Sequence, residues 1–539
     1  MKTILLILAA VLALLIVLLL IAVIHTLLIP SRKSSYTAPK ETEKARMLAE
    51  KLSRMIQYDT TSHAGVHEEE KFLSFHKLLE ELFPLVHKQL EKTVIDGNLL
   101  YYWKGESREN PILLMSHQDV VPAEGEWSHA PFSGDIADGK VWGRGASDTK
   151  CSVMAFFQAV EELLAEGYTP ACDVYLASSC TEEWGGDGAP KIVAELQQRG
   201  IRLFLVCDEG GGIITDPIGG IRGNFAMVGV FEKGKADVKF TARSTGGHAS
   251  APGKNTPIPR LAAFVNEVEK HTPFQRRFSP EVSAMFRKLA PYAPFPLKLV
   301  FGNLWLFSPV LKPLLGSISA QAGAMLQTTI AFTMQSGSDA CNVIPQEASV
   351  SANMRFIPHQ GQKESLSIME KLASKYGLTM EVLHANDYST PVDINGSAFR
   401  QVESVIAETF PGLPVSPYVM TGATDAQFYQ CICDSCIRFA PVIYGPEQMK
   451  GMHGLNENIV YSCLPGAVSF YQNLIRAQRF AKLEEKKQQN AEPSPEGASE
   501  DEAVTEETAE ENVKEAPSAA ETEDESAAPL EEGETGDNA

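Results

Sequence analysis

Short apolar runs alternate with amphipathic segments through much of this chain, and that alternation restricts its fold more than any other feature. Apolar runs at 111–115, 173–179 and 204–207 are separated by helical patterns at 147–167 and 189–198. Strands that alternate with helices at this spacing form parallel sheets covered by helices. The sequence therefore predicts an α/β protein whose mixed, mostly parallel sheet is sandwiched by helices.

The pattern changes near Phe231. Segments 233–244 and 347–356 alternate apolar and polar residues, as strands of a half-exposed antiparallel sheet do. We therefore expect a main domain made of 45–226 and 387–481, interrupted by an inserted α+β domain over 227–386. Within the insertion, 294–313 is rich in Leu, Phe and Trp, which fits either a helical hairpin packed on the insertion or a membrane-facing patch.

The N-terminus carries 21 consecutive apolar residues without a charge, from 4 to 24. At about 1.5 Å per residue such a helix spans a bilayer core of about 30 Å. The run is longer than that of most cleaved signal peptides, so 1–30 is predicted to be a retained single-pass membrane anchor. Basic residues cluster after the run, which the positive-inside rule assigns to the cytoplasm. This rule alone does not decide the topology, so the side of the membrane on which the main domain lies stays open.

The C-terminal segment 484–539 is dominated by Glu, Ala, Ser, Thr and Pro, and is predicted to be a disordered acidic tail. From residue 491 it has 18 acidic residues against one lysine, and so carries 17 of the 21 net negative charges. The remainder is only mildly acidic and has no basic stripe, which argues against nucleic-acid binding. Nine scattered cysteines do not form a disulfide pattern and are expected to be free thiols.

Acidic and imidazole side chains recur where predicted strands end or glycine turns begin. Five segments show this arrangement: SHQD at 116–119, GRGASDTK at 143–150, TEEWGG at 181–186, CDEGG at 207–211 and GMHGLNE at 451–457. The carboxyl ends of parallel strands meet at one edge of a sheet, where sites form. Each segment alone has a simpler explanation, such as a helix cap at Asp148 or a solvated pair at Glu182 and Glu183. The five together favour a site for metal ions.

The arrangement resembles the di-zinc exopeptidase family of aminoacylase, acetylornithine deacetylase, carnosinase and glutamate carboxypeptidase. Within that family it is most similar to the branch of yeast carboxypeptidase S and the secreted N-acyl amino acid hydrolase of mammals. The resemblance covers roughly residues 45 to 480 and rests on these motifs: SHQDVVP (116–122), WGRGASDTK (142–150), TEEWGGDGA (181–189), CDEGG (207–211), GGHASAP (246–252), NVIP (342–345), NMRFIP (353–358), GATDA (422–426) and MHGLNE (452–457).

The resemblance implies two divalent metal ions, with zinc the expected metal, and a general base that activates water. The base would be Glu182, and Asp119 would orient His117. The implied metal ligands are His117, Asp148 as the bridge, Glu183, His453, and one of the pair Asp208 and Glu209. Neighbours on a strand point to opposite sides, so only one of that pair can bind, and we lean slightly to Asp208 for its shorter arm.

The resemblance also implies a substrate with a free carboxylate, bound by residues of the insertion and one turn of the main domain. These are His248, Asn342, Arg355, Gly422 and Thr424. The insertion would act as a lid and dimerisation domain, giving a homodimer. The expected activity is hydrolysis of the amide bond next to that carboxylate, in a dipeptide such as Gly-x or in an N-acyl amino acid. A biosynthetic deacylase and a catalytically inactive membrane-bound binding protein remain alternatives.

Overall fold

The computed structural model describes residues 1–66, 68–318 and 320–489, and Met1–Lys486 fold as one compact unit. The acidic segment beyond 489, where we expect the disordered tail, lies outside the described residues. The helices are α1 (Lys2–Leu28), α2 (Glu43–Ile56), α3 (Glu69–Leu82), α4 (Pro84–Gln89), α5 (Lys150–Ala165), α6 (Gly188–Gln198), α7 (Pro257–Lys270), α8 (Pro280–Leu289), α9 (Phe295–Gly302), α10 (Leu304–Ile318), α11 (Ala320–Ala324), α12 (Gln362–Lys375), α13 (Ser397–Thr409), α14 (Pro446–Gly451) and α15 (Leu464–Gln489).

Most strands belong to two large sheets, and the rest form short ladders. The strands are β1 (Glu91–Ile95), β2 (Asn98–Trp103), β3 (Ile112–Met115), β4 (Ile136–Ala137), β5 (Lys140–Trp142), β6 (Val174–Ser178), β7 (Leu205–Thr215), β8 (Asn224–Glu232), β9 (Gly234–Arg243), β10 (Gly247–His248), β11 (Thr329–Ser336), β12 (Val343–Ile344), β13 (Glu347–Phe356), β14 (Leu378–Asn386), β15 (Val415–Met420), β16 (Cys436–Tyr444) and β17 (Asn458–Val460).

The central sheet has eight strands in the order β1-β2-β6-β3-β7-β16-β8-β15. Its middle strands β6, β3, β7 and β16 run parallel, and the flanking pairings include antiparallel ones. Strand β3 is wholly buried apolar sequence, as a strand covered on both faces requires. The predicted mixed, mostly parallel sheet covered by helices is confirmed.

A second, four-stranded sheet has the order β11-β13-β9-β14 and is fully antiparallel. Helices α7 and α12 cover one face, where Phe264 and Met369 pack with Phe240 and Met354. The sheet begins at Gly234, seven residues after the expected start of the insertion, because β8 is still a strand of the central sheet. Helices α8 to α11, although within 227–386, pack on the core of the main domain through Phe286 and other apolar residues.

The hairpin hypothesis for 294–313 is partly correct. The segment forms the bent pair α9 and α10, with 106° between the two helices. It packs on the main core and on the end of α1, not on the second sheet. Helix α1 is long and apolar enough to cross a membrane, although a signal sequence would have the same properties.

Candidate metal centre

Asp148 lies between two histidines from opposite ends of the chain. Its Oδ1 is 3.2 Å from His117 Nε2, and its Oδ2 is 2.8 Å from His453 Nε2. His117 follows β3, and His453 lies in the turn after α14, 336 residues further along the chain. Asp148 does not cap α5, whose N-cap residue is Thr149, so the simpler explanation of Asp148 fails. One carboxylate therefore presents each of its oxygens to a different imidazole.

Two groups of possible metal ligands share this carboxylate. His117, Asp148 and Glu209 form one group, and Asp148, Glu183 and His453 form the other. Within each group the ligand atoms lie within 4.8 Å of one another. Imidazole nitrogens and carboxylate oxygens, three from the protein with a position left for water, are the donors of catalytic zinc sites. The residues present thus fit a pair of divalent cations.

The structure brings Glu209, and not Asp208, to the first group. Asp208 is buried and both of its oxygens accept backbone N–H groups, Oδ1 from Glu209 at 2.8 Å and Oδ2 from Ala426 at 2.9 Å. Burial raises the pKa of Asp208 to about 6. The opposite directions of these neighbours follow from strand geometry, as expected. Glu209 is the one that faces the histidines, against our slight preference for Asp208.

Asp119 lies beside His117 and contacts it mainly through its backbone carbonyl. His117 Nδ1 lies 2.9 Å from the backbone carbonyl oxygen of Asp119, whereas the carboxylate Oδ1 is 3.4 Å away. The carboxylate instead accepts from Ser62 Oγ at 2.6 Å and from the backbone N–H groups of Glu182 and Glu183 at 3.3 and 3.2 Å. Asp119 therefore fixes the short 3₁₀ turn that presents the two glutamates, and its carbonyl fixes the imidazole.

The cluster of carboxylates around Asp148 has a strongly negative potential. Burial raises the pKa of Glu182 well above its usual range, and nearby Asp425 and Glu209 raise it further. Hydrogen bonds to Asp148 and Glu183 raise the pKa of His453 to about 10. Glu182 Oε2 lies 3.9 Å from His117 Nε2, beside the first ligand group. Several carboxylates confined at these distances from one another are stabilised by bound cations.

Glu457 supports the bridge, and the sequence reasoning gave it no role. It is fully buried and accepts from the backbone N–H groups of Ser147 and Asp148 at 2.8 and 3.0 Å. Arg144 NH1 donates to its other oxygen at 2.7 Å. Glu457 thus holds the glycine turn that carries Asp148. The available signal was its position, four residues after His453 in one motif.

Asp425 is a second acidic residue that the sequence reasoning missed. It is buried and accepts a hydrogen bond from Ser179 Oγ. Burial, and then the charge of Asp208, raises its pKa to about 8. It stands directly after Thr424 in the GATDA motif, where only the glycine and the threonine were given roles. Asp425 adds to the negative potential at Glu182.

The predicted substrate residues lie in two places apart from the ligand groups. The ladder of β10 and β12 brings together His248 and Asn342, whose carbonyl accepts from Ala249 N–H at 2.9 Å. Arg355 is half-buried on β13 and donates through Nε to Asn353 at 3.0 Å. In the part of the chain that the structure describes, none of the three hydrogen-bonds to the two ligand groups.

The two predicted substrate residues in the turn after β15 have different surroundings. The Thr424 hydroxyl donates to Glu232, a buried partner. Gly422 borders open space, since a Cβ added there would meet nothing within 4 Å. The hydrogen bonds expected from this turn to a substrate stay a prediction.

Comparisons with known proteins agree with this geometry. The sequence profile of peptidase family M20/M25/M40 matches residues 113–477. "Probable carboxypeptidase S-like 2" of Dictyostelium discoideum is 32% identical over 84% of this chain and 88% of its own. The N-fatty-acyl-amino acid synthase/hydrolase PM20D1 of Xenopus tropicalis is 33% identical over 83% and 88%. The M20 metallo-carboxypeptidase Sso-CP2 of Sulfolobus solfataricus shares the fold, with a TM-score of 0.61 and 18% identity over 82% of this chain and all of that one.

Proposed function

The chain belongs to peptidase family M20/M25/M40, and on that premise we propose that this metallohydrolase cleaves the amide bond next to a free carboxylate. The substrate class would be small dipeptides such as Gly-x or N-acyl amino acids. The observation that carries the proposal is Asp148, whose two oxygens each contact an imidazole, with the largely buried Glu182 beside one of them. The names of the relatives, carboxypeptidase and N-fatty-acyl-amino acid hydrolase, support both substrate types.

The residues proposed to hold the metals are those of the two ligand groups. His117 and Glu209 would bind one cation, Glu183 and His453 the other, and Asp148 both. When bound, divalent cations supply Lewis-acid chemistry, lowering the pKa of water and polarising a carbonyl oxygen. Zinc fits this set of nitrogen and oxygen donors. Glu457 holds the turn that carries Asp148, and Asp119 holds the turn that carries Glu182 and Glu183.

Glu182 is proposed as the general base, because it lies beside His117 without belonging to either ligand group. It takes a proton from the attacking water as the water oxygen bonds to the amide carbon. When the C–N bond breaks, Glu182 returns that proton to the leaving nitrogen. The products are a carboxylate and an amino acid with a free amine. Burial of Glu182 raises its pKa, which favours a group that gains and loses a proton.

Arg355 is the proposed partner of the substrate carboxylate. Its Nε is used by Asn353, and within the described residues no acceptor lies in hydrogen-bond distance of its two terminal nitrogens. A guanidinium with two free parallel donors binds a carboxylate in bidentate fashion. Because Arg355 lies on the second sheet, the proposal gives that sheet the role of a lid, with His248 and Asn342 completing the substrate site.

A substrate panel tests the proposed activity. We expect metal-loaded full-length enzyme in detergent to hydrolyse Gly-x dipeptides or N-acyl amino acids, and to cleave the matching C-terminal amides at least ~10²-fold more slowly, since a site built for hydrogen bonds rejects partners without them. Equal rates on acids and amides would contradict carboxylate recognition. Full metal occupancy with no turnover across the panel would favour the inactive binding protein.

The role of Arg355 has its own control. Arg355→Ala should lower kcat/KM on free acids about 10²-fold, in line with losing a charged hydrogen-bonding pair of about 2–3 kcal/mol. Arg243→Ala, which removes an exposed arginine on β9 of the same sheet, should change nothing. If both variants behave alike, Arg355 does not bind the substrate.

The choice between Glu209 and Asp208 is also testable. Glu209→Gln should lose one bound metal ion, because it removes a charged ligand from the first group. Asp208→Asn should keep both, since that side chain is occupied by backbone N–H groups. Elemental analysis after dialysis measures the difference. Loss of metal from Asp208→Asn alone would reverse the assignment.

The remaining architecture is proposed by the same reasoning. We infer that α1 is a single-pass membrane anchor, since it has 27 predominantly apolar residues and its most apolar stretch is not buried inside the protein. The second sheet leaves one face uncovered, with Met334 and Leu383 exposed on its outer strands, which suits pairing with a second copy. The acidic segment after residue 489 is proposed to have no part in catalysis.

A further inference from the structure

The end of helix α1 is held by the corner between α9 and α10. Asn303, at that corner, is fully buried and donates through Nδ2 to Thr26 Oγ1 at 2.9 Å and to the Ala22 carbonyl at 3.2 Å. Just beyond α1, Lys298 hydrogen-bonds to Ser31, and Arg32 N–H donates to the Pro291 carbonyl at 2.8 Å. The corner and the last turns of α1 are therefore one packed unit.

The position of this corner along α1 coincides with one face of a bilayer. Residues 2 to 21 are exposed or half-buried, and burial begins at Ala22. Twenty helical residues at about 1.5 Å each give about 30 Å, the thickness of the hydrocarbon layer. If those residues span the layer, Ala22 and Asn303 lie at its boundary with the headgroups.

Helices α9 and α10 pack on the main body and also expose large apolar residues. Phe301 packs inward against Phe286, with ring centroids 4.6 Å apart. Four large apolar residues of this bent pair, named here the apolar surface, have exposed fractions of 49, 55, 68 and 47%: Phe295, Trp305, Val310 and Leu314. Several exposed large apolar residues within one bent pair of helices mark contact with a membrane or a protein.

Charges around the apolar surface favour a membrane. Segment 295–318 contains no acidic residue, and of its two lysines Lys312 is half-buried whereas Lys298 is buried beside Ser31. Arg32 and Lys33 are exposed where the chain leaves α1, and Arg276 lies against the Pro313 carbonyl at 3.1 Å. A rim of cations matches the phosphates and anionic headgroups of a bilayer, and tryptophan is enriched at that depth.

We propose that the apolar surface lies in the interfacial layer of the same bilayer that α1 enters. The inference rests on the proposed membrane span of α1 and goes beyond the proposed hydrolysis. The protein then contacts the membrane at two joined elements, a spanning helix and a bent pair lying on the surface. Because Asn303 connects the two, the catalytic body has a fixed orientation on the bilayer and does not hang from a flexible tether.

Tryptophan quenching in membranes tests this position. Full-length protein is reconstituted into vesicles whose lipids carry bromine on the upper acyl chain, and emission is compared with that in unbrominated vesicles. The chain has five tryptophans, and we expect Trp305 to supply most of the quenching. Trp305→Phe should abolish most of it, whereas Trp184→Phe, which removes a tryptophan that is 36% exposed on the main body, should leave it unchanged. Equal quenching in wild type and Trp305→Phe would overturn the proposal.

Two further readings separate the possible outcomes. Aqueous iodide should quench the emission of Trp305 less when the wild-type protein is in vesicles than when neither detergent nor lipid is present. If Trp305 is shielded from bromine and iodide alike, a protein surface such as a second copy covers it, and the proposal is overturned. Vesicle flotation reports on α1 by itself, and hydrolysis in detergent reports on the metal centre. Protein that floats and hydrolyses without bromine quenching therefore contradicts this inference alone.

Discussion

Glu182→Gln is expected to abolish nearly all turnover while leaving both metal ions bound. The substitution keeps the shape of the side chain but removes the carboxylate that we propose accepts a proton from water and returns it to the leaving nitrogen. Loss of a positioned general acid–base lowers rates by roughly 10²–10⁴-fold. The ligand groups do not include Glu182, so their donors stay intact. Elemental analysis beside a rate assay measures both quantities on one sample.

The neighbouring glutamate provides the matched contrast. Glu183→Gln changes the same residue type in the same 3₁₀ turn, but Glu183 belongs to the second ligand group, so its loss should reduce the metal content. Glu126→Gln, on the exposed surface, should change neither quantity. If Glu182→Gln lost metal and Glu183→Gln kept it, the roles of the two glutamates would have to be exchanged.

The fold could be predicted well wherever burial shows in local periodicity. The prediction for 347–356 matches β13 residue for residue, and the runs at 111–115 and 173–179 lie within one residue of β3 and β6 at either end. The strand predicted at 233–244 lies within one residue of β9 at either end, whereas the expected start of the insertion, 227, falls inside β8, which is almost wholly buried. A continuous apolar strand does not reveal which of two sheets it joins.

The candidate site was predictable as far as strand topology determines it. Segments after β3 and β6 and within β7 converge because the carboxyl ends of parallel strands share an edge. The family resemblance that gave these segments their roles is confirmed by the matches to M20 proteins. The choice between Asp208 and Glu209 was beyond the sequence, since alternation sets their opposite directions without saying which faces the site.

Contacts between distant parts of the chain account for what was missed. Glu457 binds the Asp148 turn across 309 residues, and Thr424 meets Glu232 across 192. Neither pairing leaves a periodic trace in the sequence. The same holds for Asn303, whose burial depends on α1 lying beside it. Isolated polar residues next to a recognised motif were the available signal, and they acquire a role only when their partner is known.

Asp148→Asn is expected to have the largest effect on metal binding, because both ligand groups share this side chain. An amide offers one neutral oxygen in place of two charged ones, so both groups lose their common anion. We expect both ions to be lost on dialysis and hydrolysis to disappear with them. His453→Ala, which removes a ligand from the second group alone, should keep one ion. Retention of one ion by Asp148→Asn would show that the carboxylate does not bridge.

Chelator-treated protein tests the same bridge without metal. Asp148 and Glu183 raise the pKa of His453 to about 10 from its usual 6.5, so the imidazole stays protonated at neutral pH. A raised pKa means that this charged contact stabilises the fold fully below pH 6.5 and is lost as the pH rises through about 10. Asp148→Asn should move the titration of His453, followed by NMR, towards 6.5. Because the Glu457 contacts to the backbone of residues 147 and 148 remain, the turn keeps its place and the shift reports the lost carboxylate charge.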